Sequence, residues 1–268
     1  MCGIAGYISD SVFNGEAMKA SLHHRGPNSG NHFSHQANGF QVYMCHTRLS
    51  IIDLSERGNQ PMQSDDGQVI LIFNGEIYNF QELRAKYLRE ATFHSETDTE
   101  VLLKLYLAKG IDFLSLLNGD FAMAIYDQRL GKSYLIRDRL GIKPMYFYWR
   151  NQRLVYGSEI KALLAAGIAP EMNREAIQKY FVYKYSPEQE TLFKDIQWVA
   201  PGHFLEFDFH TKSLSTHQYW QLPTTTEKIP YPQAQEEVEH LIADATKIRL
   251  IADVPVGSFL SGGLDSTI

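Results

Sequence analysis

The chain has 268 residues, with 31 acidic and 25 basic side chains, a formal charge of −6 and 44% hydrophobic content, which describes a globular protein of one large or two unequal domains. No apolar run approaches the roughly 18 residues that cross a bilayer, and polar groups interrupt the first twenty residues where a signal peptide needs an apolar stretch, so a cytoplasmic location is expected. The mild acidity offers no basic footprint for nucleic acid or an anionic membrane, and two cysteines, Cys2 and Cys45, are too few for a disulfide-stapled fold.

In chain order, the segments 4–8, 40–46 and 69–73 are short, rich in β-branched and aromatic residues, and read as strands. Segment 99–108 carries apolar residues at Val101, Leu102, Leu105 and Tyr106 and stops before Gly110, the pattern of an amphipathic helix. Strands follow at 121–126, 134–137, 145–149 and 154–156, then helices at 159–166 and 174–183. Many short strands could close a barrel, but helices in several separate places favour a layered α/β or α+β sandwich with helices outside the sheets. The run QLPTTTEKIPYPQ at 221–233 lacks the periodicity of a packed element and reads as a linker. Beyond it, 234–250 reads as a helix with Val238, Leu241, Ile242, Ala245 and Ile248 on one stripe, followed by a strand at 254–260 and a glycine turn. The domain that starts there is expected to be incomplete.

Cys2 follows Met1, and its small side chain would let an aminopeptidase remove Met1 and free the Cys2 α-amine. A thiol with a pKa near 8.5 would then sit beside an amine of about 7.7–8.0, which can take its proton without help from a distant histidine. The plain alternative is a small buried residue that starts a strand. Gly3 and Gly6 weaken that alternative, because glycines here suggest a backbone closely approached by another segment or a ligand.

Asn74-Gly75-Glu76 ends the third strand, and an Asn amide with a Gly backbone N–H are suitable donors for an oxyanion, although Asn-Gly is also the strongest short hairpin signal. Arg48 could pair a substrate carboxylate, or form a surface ion pair. Asp98 could receive an α-ammonium group, or cap the helix that follows. A substrate with one carboxylate, one ammonium and a reactive carbonyl would use all of them, and an amino-acid amide fits. The turns at 23–28 and 138–144 have loop structure as their default explanation. No HExxH occurs, and His32 with His35 has no obvious companion ligands, so no metal site is expected. Ser261-Gly262-Gly263-Leu264-Asp265-Ser266 could wrap backbone N–H groups around phosphate oxygens, but it is not a Walker A sequence and too little chain follows to form the supporting helix.

Taken together, Met1-Cys2-Gly3-Ile4, His24-Arg25-Gly26-Pro27, Arg48-Leu49-Ser50-Ile51-Ile52-Asp53, Phe73-Asn74-Gly75-Glu76-Ile77-Tyr78-Asn79, Thr97-Asp98-Thr99-Glu100, residues 157–163 (GSEIKAL), Asp253-Val254-Pro255-Val256-Gly257 and the SGGLDS turn resemble glutamine-hydrolysing asparagine synthetases. The resemblance covers essentially the whole chain. It implies an α+β fold: a four-layer αββα N-terminal-nucleophile glutaminase at 1–220, a linker at 221–233, and at 234–268 the first helix and strand of an ATP-pyrophosphatase domain. By that likeness Cys2 attacks the side-chain amide of glutamine, Asn74 and Gly75 form the oxyanion hole, and Arg48, Glu76, Asp98 and the backbone of Leu49, Ser50, Ile51 and Ile52 hold the amino-acid end. Leu260, Ser261, Gly262, Gly263, Asp265 and Ser266 would hold ATP.

The implied partners are glutamine, with aspartate and ATP in the complete enzyme; Mg²⁺ accompanies the ATP, no cofactor serves the glutaminase step, and a homodimer is left open. Asn28 stands where relatives carry Asp, a departure expected to touch no residue assigned to chemistry. Rival readings are an amidotransferase with another acceptor, such as a sugar carboxylate in polysaccharide synthesis, and a silent truncated interaction fragment. Cys2 argues against the β-lactam synthetase branch, which lacks the nucleophile.

Overall fold

The computed structural model describes residues 1–187, 189–226 and 228–267, and within them the apolar runs pair into two antiparallel six-stranded sheets. The chain opens with β1 (Gly3–Ser9), α1 (Gly15–Ser21), β2 (Ser29–Ala37), β3 (Phe40–Arg48), β4 (Met62–Gln63) and β5 (Val69–Ile77). It continues through α2 (Phe80–Tyr87), α3 (Asp98–Lys109), β6 (Gly119–Asp127), β7 (Lys132–Arg137), β8 (Tyr146–Arg150) and β9 (Arg153–Gly157). Next come α4 (Ile160–Ala166), α5 (Arg174–Tyr183), β10 (Ile196–Trp198), β11 (His203–Asp208) and β12 (Ser213–Gln218), and last α6 (Tyr231–Ile248) and α7 (Leu264–Thr267).

The first sheet has the order β10-β8-β9-β1-β3-β2 and the second β12-β11-β7-β6-β5-β4. Because successive strand residues face opposite ways, each central strand feeds two cores. Ile4 and Ile8 of β1, Val42 and Met44 of β3, Ile70 and Ile72 of β5 and Ala122 and Ala124 of β6 form the core between the sheets. Ala5, Tyr7, Tyr43 and Cys45 instead pack with Met18 of α1 and Leu163 of α4, while Leu71, Phe73, Phe121 and Met123 pack with Leu102 and Leu105 of α3. Three cores separate four layers, helix, sheet, sheet and helix, which is the sandwich the resemblance implies.

The expected central strands and the helices α3, α4 and α5 are present, α5 with the expected ends and the others with ends shifted by at most four residues. Sequence pattern missed α1, β2, β4, α2, β10, β11 and β12. The SGNHFSHQA run of β2 has only Phe33 and Ala37 to pack against the inter-sheet core, and it is a strand because β3 offers it a full edge, pairing Ser29 with Arg48 through to Ala37 with Phe40. The strand expected at 254–260 does not form, since those residues have no partner strand to close their backbone hydrogen bonds. The preceding helix, α6, starts earlier than expected, with Pro232 in its first turn, where the missing N–H costs nothing. None of its residues is buried, and Val238 and Leu241 of the apolar stripe stand exposed. No helix among the described residues is long and apolar enough to cross a membrane.

Ile72 is fully buried between the sheets. Ile72→Ala is expected to cost about 2–5 kcal/mol, read as a lower denaturant midpoint at unchanged m-value.

Candidate active site

The two-residue period of the strands places the site. On β1 the even-numbered residues Ile4 and Ile8 face the opposite sheet; on β3 Val42 and Met44 do, and on β5 Ile70 and Ile72. Continued toward one end of the sandwich, the same faces carry Cys2, His46, Arg48, Asn74 and Glu76, so the inter-sheet core turns polar there. Cys2, Arg48, Asn74 and Glu76 line one pocket together with Leu49, Ile51, Ile52, Gly75, Asp98 and Lys143.

Cys2 is held from two sides. Its thiol donates to the Leu49 carbonyl at 3.6 Å and accepts from the Leu49 N–H at 3.4 Å. Arg25 Nε donates to the Cys2 carbonyl at 2.8 Å, and Arg25 is itself fixed by Glu159 at 2.9 Å. Burial pushes the thiol above its ordinary range, against the opposing pull of the Leu49 N–H, the terminal amine and Arg48. Met1 lies across the pocket, its sulfur 3.9 Å from an Arg25 nitrogen and 3.8 Å from Lys143 Nζ. Burial also pulls the terminal amine below its ordinary value, which favours the neutral form that can accept a proton. Gly3 lets the start of β1 lie close against Thr47 and Leu22: a Cβ there would lie 2.6 Å from Thr47 Oγ1 and 2.9 Å from Leu22 Cβ.

Asn74 and Gly75 are no hairpin turn; they lie inside β5, opposite Ala122 and Phe121. The Asn74 side chain is buried and lines the pocket, yet neither its Nδ2 nor its Oδ1 has a hydrogen-bond partner among the described residues. Such groups are paired in nearly all folded proteins, and an orphaned amide in a pocket is a donor awaiting a ligand. Gly75 must be glycine, since a Cβ would meet the Asp120 carbonyl oxygen and approach Phe121 Cα to 2.7 Å. His46 Nε2 donates to the Phe73 carbonyl at 3.1 Å, tying β3 to β5 directly beside Asn74. Burial holds this imidazole neutral, its pKa lowered to about 3.

Arg48 is no surface ion pair. Its two terminal nitrogens meet four acceptors: the Ser55 carbonyl at 2.6 Å, Asn59 Oδ1 at 3.2 Å, the Ile52 carbonyl at 3.3 Å and the Asp53 carbonyl. The guanidinium thus pins the 49–55 loop while keeping its charge at the pocket wall. Asp98 does not cap α3; Thr97 does, accepting the Glu100 N–H, and Asp98 is the buried first residue. Its carboxylate accepts the Ile77 N–H at 3.0 Å, and its pKa is raised to about 7 by burial, with Glu76 adding to the rise. Burial likewise raises Glu76, opposed by Lys143. The pocket therefore offers two cations and two carboxylates, the pattern that receives a zwitterion.

Ser50 falls outside the pocket lining. Its N–H bonds Asn28 Oδ1 at 3.0 Å, so Asn28 does touch the loop assigned to substrate, contrary to expectation. Lys143 was not singled out in the sequence because it lies in a dense turn. The turn winds around Asp138, whose carboxylate accepts N–H groups of Leu140, Ile142, Lys143 and Phe121. Ser261 to Ser266 lie far down the chain in an exposed turn, where the Ser261 and Ser266 hydroxyls bond each other at 2.8 Å and Gly263 N–H bonds Ser261 Oγ. These groups pair among themselves and form no cradle that fits ATP.

The fold is similar to that of the glutamine phosphoribosylpyrophosphate amidotransferase of B. subtilis, with a TM-score of 0.60 at 17% identity over 82% of this chain and 50% of that one. That likeness defines the fold as one used by an amidotransferase. Residues 1–220 match the family described as a glutamine amidotransferase domain, and the chain belongs to it. Residues 237–268 match the description asparagine synthase. Asparagine synthetases [glutamine-hydrolyzing] 1 and 2 of Bacillus subtilis (strain 168) are 35% and 34% identical over 100% and 99% of this chain, which covers 43% and 38% of their lengths. Amidase chry2 of Gibberella zeae is 33% identical over 100% of the chain and 42% of its own length. The chain thus spans about two fifths of the length of these relatives.

Asp98 generates a pH prediction. A carboxyl whose folded pKa of about 7 exceeds its unfolded value near 3.9 favours folding fully below that lower value, and the contribution is lost as pH rises through about 7. Asp98→Asn is therefore expected to unfold at a higher temperature than the parent at pH 8, with the gap closing toward pH 4. Thermal melts at pH 4, 6 and 8 check this.

Proposed function

We propose that residues 1–220 hydrolyse glutamine to glutamate and ammonia through a Cys2 thioester, and that this chain is the glutaminase half of a glutamine-dependent asparagine synthetase. The observation that carries the reading is the buried, unpartnered Asn74 amide in the same pocket as the Cys2 thiol.

Removal of Met1 would turn the Cys2 nitrogen into an amine that takes the thiol proton. The sulfur then attacks the side-chain carbonyl carbon of glutamine, and the oxygen becomes an anion facing Asn74 Nδ2 and the Gly75 N–H. The amine returns the proton to the leaving nitrogen, ammonia departs, and water cleaves the thioester to give glutamate. Asp98 receives the α-ammonium, a cation that repays the burial of its carboxylate, and the Arg48 charge faces the α-carboxylate. Leu49 holds the thiol, Ile51 and Ile52 wall the site, and Glu76 with Lys143 borders the mouth. In the whole enzyme the ammonia would be joined to aspartate at the expense of ATP with Mg²⁺. A boundary near residue 220, with a linker that ends where α6 begins at Tyr231 rather than at 233, and a cytoplasmic location complete the proposal.

A second reading, an amidotransferase serving another acceptor, is favoured by the amidase of Gibberella zeae, which is about as similar as the synthetases. Both readings share the first half-reaction. The chain is expected to release glutamate from glutamine without ATP after losing Met1, and Cys2→Ala is expected to abolish it. Asn74→Ala should lower kcat by about 10²–10³-fold with a smaller effect on KM. Coupled glutamate assays with intact-mass analysis check this; glutamate release by Cys2→Ala would overturn the assignment.

A further inference from the structure

Asp53 ends the loop that lines the pocket, in the left-handed region at φ 50. Each of its polar groups is engaged. Its carbonyl accepts from Arg48, and its carboxylate accepts the Ser55 hydroxyl at 2.6 Å, the Ser55 N–H at 3.1 Å and the Glu96 N–H at 3.0 Å. Its own N–H donates to the Asp253 carboxylate at 2.7 Å, and the Asp253 N–H donates to the Ile51 carbonyl at 2.9 Å. A residue 200 positions away thus closes a two-bond ring with the loop. The docking is not confined to that ring. The Arg249 guanidinium lies 4.5 Å above the Tyr78 ring, and Ile251 packs against the core between α3 and the second sheet.

We propose that Asp253, from beyond the glutaminase family match at 1–220, is a positioning residue for the glutamine pocket. It fixes Ile51 to Asp53 from one side while Arg48 fixes the same segment from the other. Released from the Asp253 carboxylate, the loop loses the bond at the Asp53 N–H while Arg48, the Glu96 N–H and Asn28 still hold its other groups, so Ile51 and Ile52 hold the pocket wall less firmly. The contact joins the chain just ahead of the glycine turn to the wall of the glutamine pocket, so a displacement of one displaces the other. The inference rests on the glutaminase reading above.

The test uses the whole chain with Asp253→Ala and Asp253→Asn. Asn keeps an oxygen that accepts the Asp53 N–H; Ala does not. Asp253→Ala is expected to raise the glutamine KM about 10-fold with kcat within about twofold, the scale of one lost hydrogen bond to a charged group. Deuterium uptake of the 50–56 segment is expected to quicken by about the same factor, and Asp253→Asn to restore both to within about threefold of the parent. Unchanged KM and uptake in Asp253→Ala would overturn the proposal, as would Asp253→Asn as damaging as Ala, which would assign the effect to charge and not to the accepted hydrogen bond. A parent chain inert to glutamine would remove the glutaminase reading instead, and uptake at 50–56 would still decide whether Asp253 holds the loop.

Discussion

Everything at the site depends on the alternation of side chains along three strands. Because β1, β3 and β5 each send every second residue between the sheets, the direction that buries Ile4, Met44 and Ile72 also aims Cys2, Arg48 and Asn74 at a common space. The apolar residues supply the drive that presses the sheets together. Where they give out, the same stacking distance leaves room for a small polar guest. The His46 hydrogen bond to Phe73 marks the border, since it is the point where a polar group first bridges the sheets and is satisfied there.

The pocket separates two kinds of polar work. Arg48 spends its terminal nitrogens on the loop, and Asp138 spends its carboxylate on the turn that carries Lys143. Those groups are fully bonded, so they build walls. Among the described residues Asn74 has no hydrogen-bond partner and no cation pairs with the buried Asp98 carboxylate. They are unsatisfied in complementary ways, one awaiting an acceptor and the other a positive charge. An amino-acid amide carries both in a single molecule.

Much of this was legible in sequence. Apolar runs bounded by Gly, Asn or Asp marked the central strands, and Cys2, Arg48, Asn74, Glu76 and Asp98, singled out by residue type, are brought to one pocket by the fold. The rest required three dimensions. β2 is polar apart from Phe33 and Ala37 and exists through its pairing with β3, a tertiary effect invisible to local pattern. Asn74-Gly75 carries the local signature of a turn but continues β5, because β6 runs alongside as far as Gly119 opposite Ile77. Lys143 reached the pocket through the folding of a loop around a buried carboxylate. The strand expected at 254–260 had the right composition and no neighbour to pair with.

Strand β5 holds the sandwich together and presents the amide at its end, and this restricts how the protein can vary. Exchanging Ile70 or Ile72 for another apolar side chain of similar volume leaves the strand's path intact, so the interior can drift. Inserting or deleting a single residue between Val69 and Asn74 would turn the Asn74 side chain to the helix-facing side of the sheet and bring a hydrocarbon into its place. Changes of length are therefore tolerated only in the loops beyond the strand ends, and along β5 the apolar side chains can change identity at constant volume while their number stays fixed.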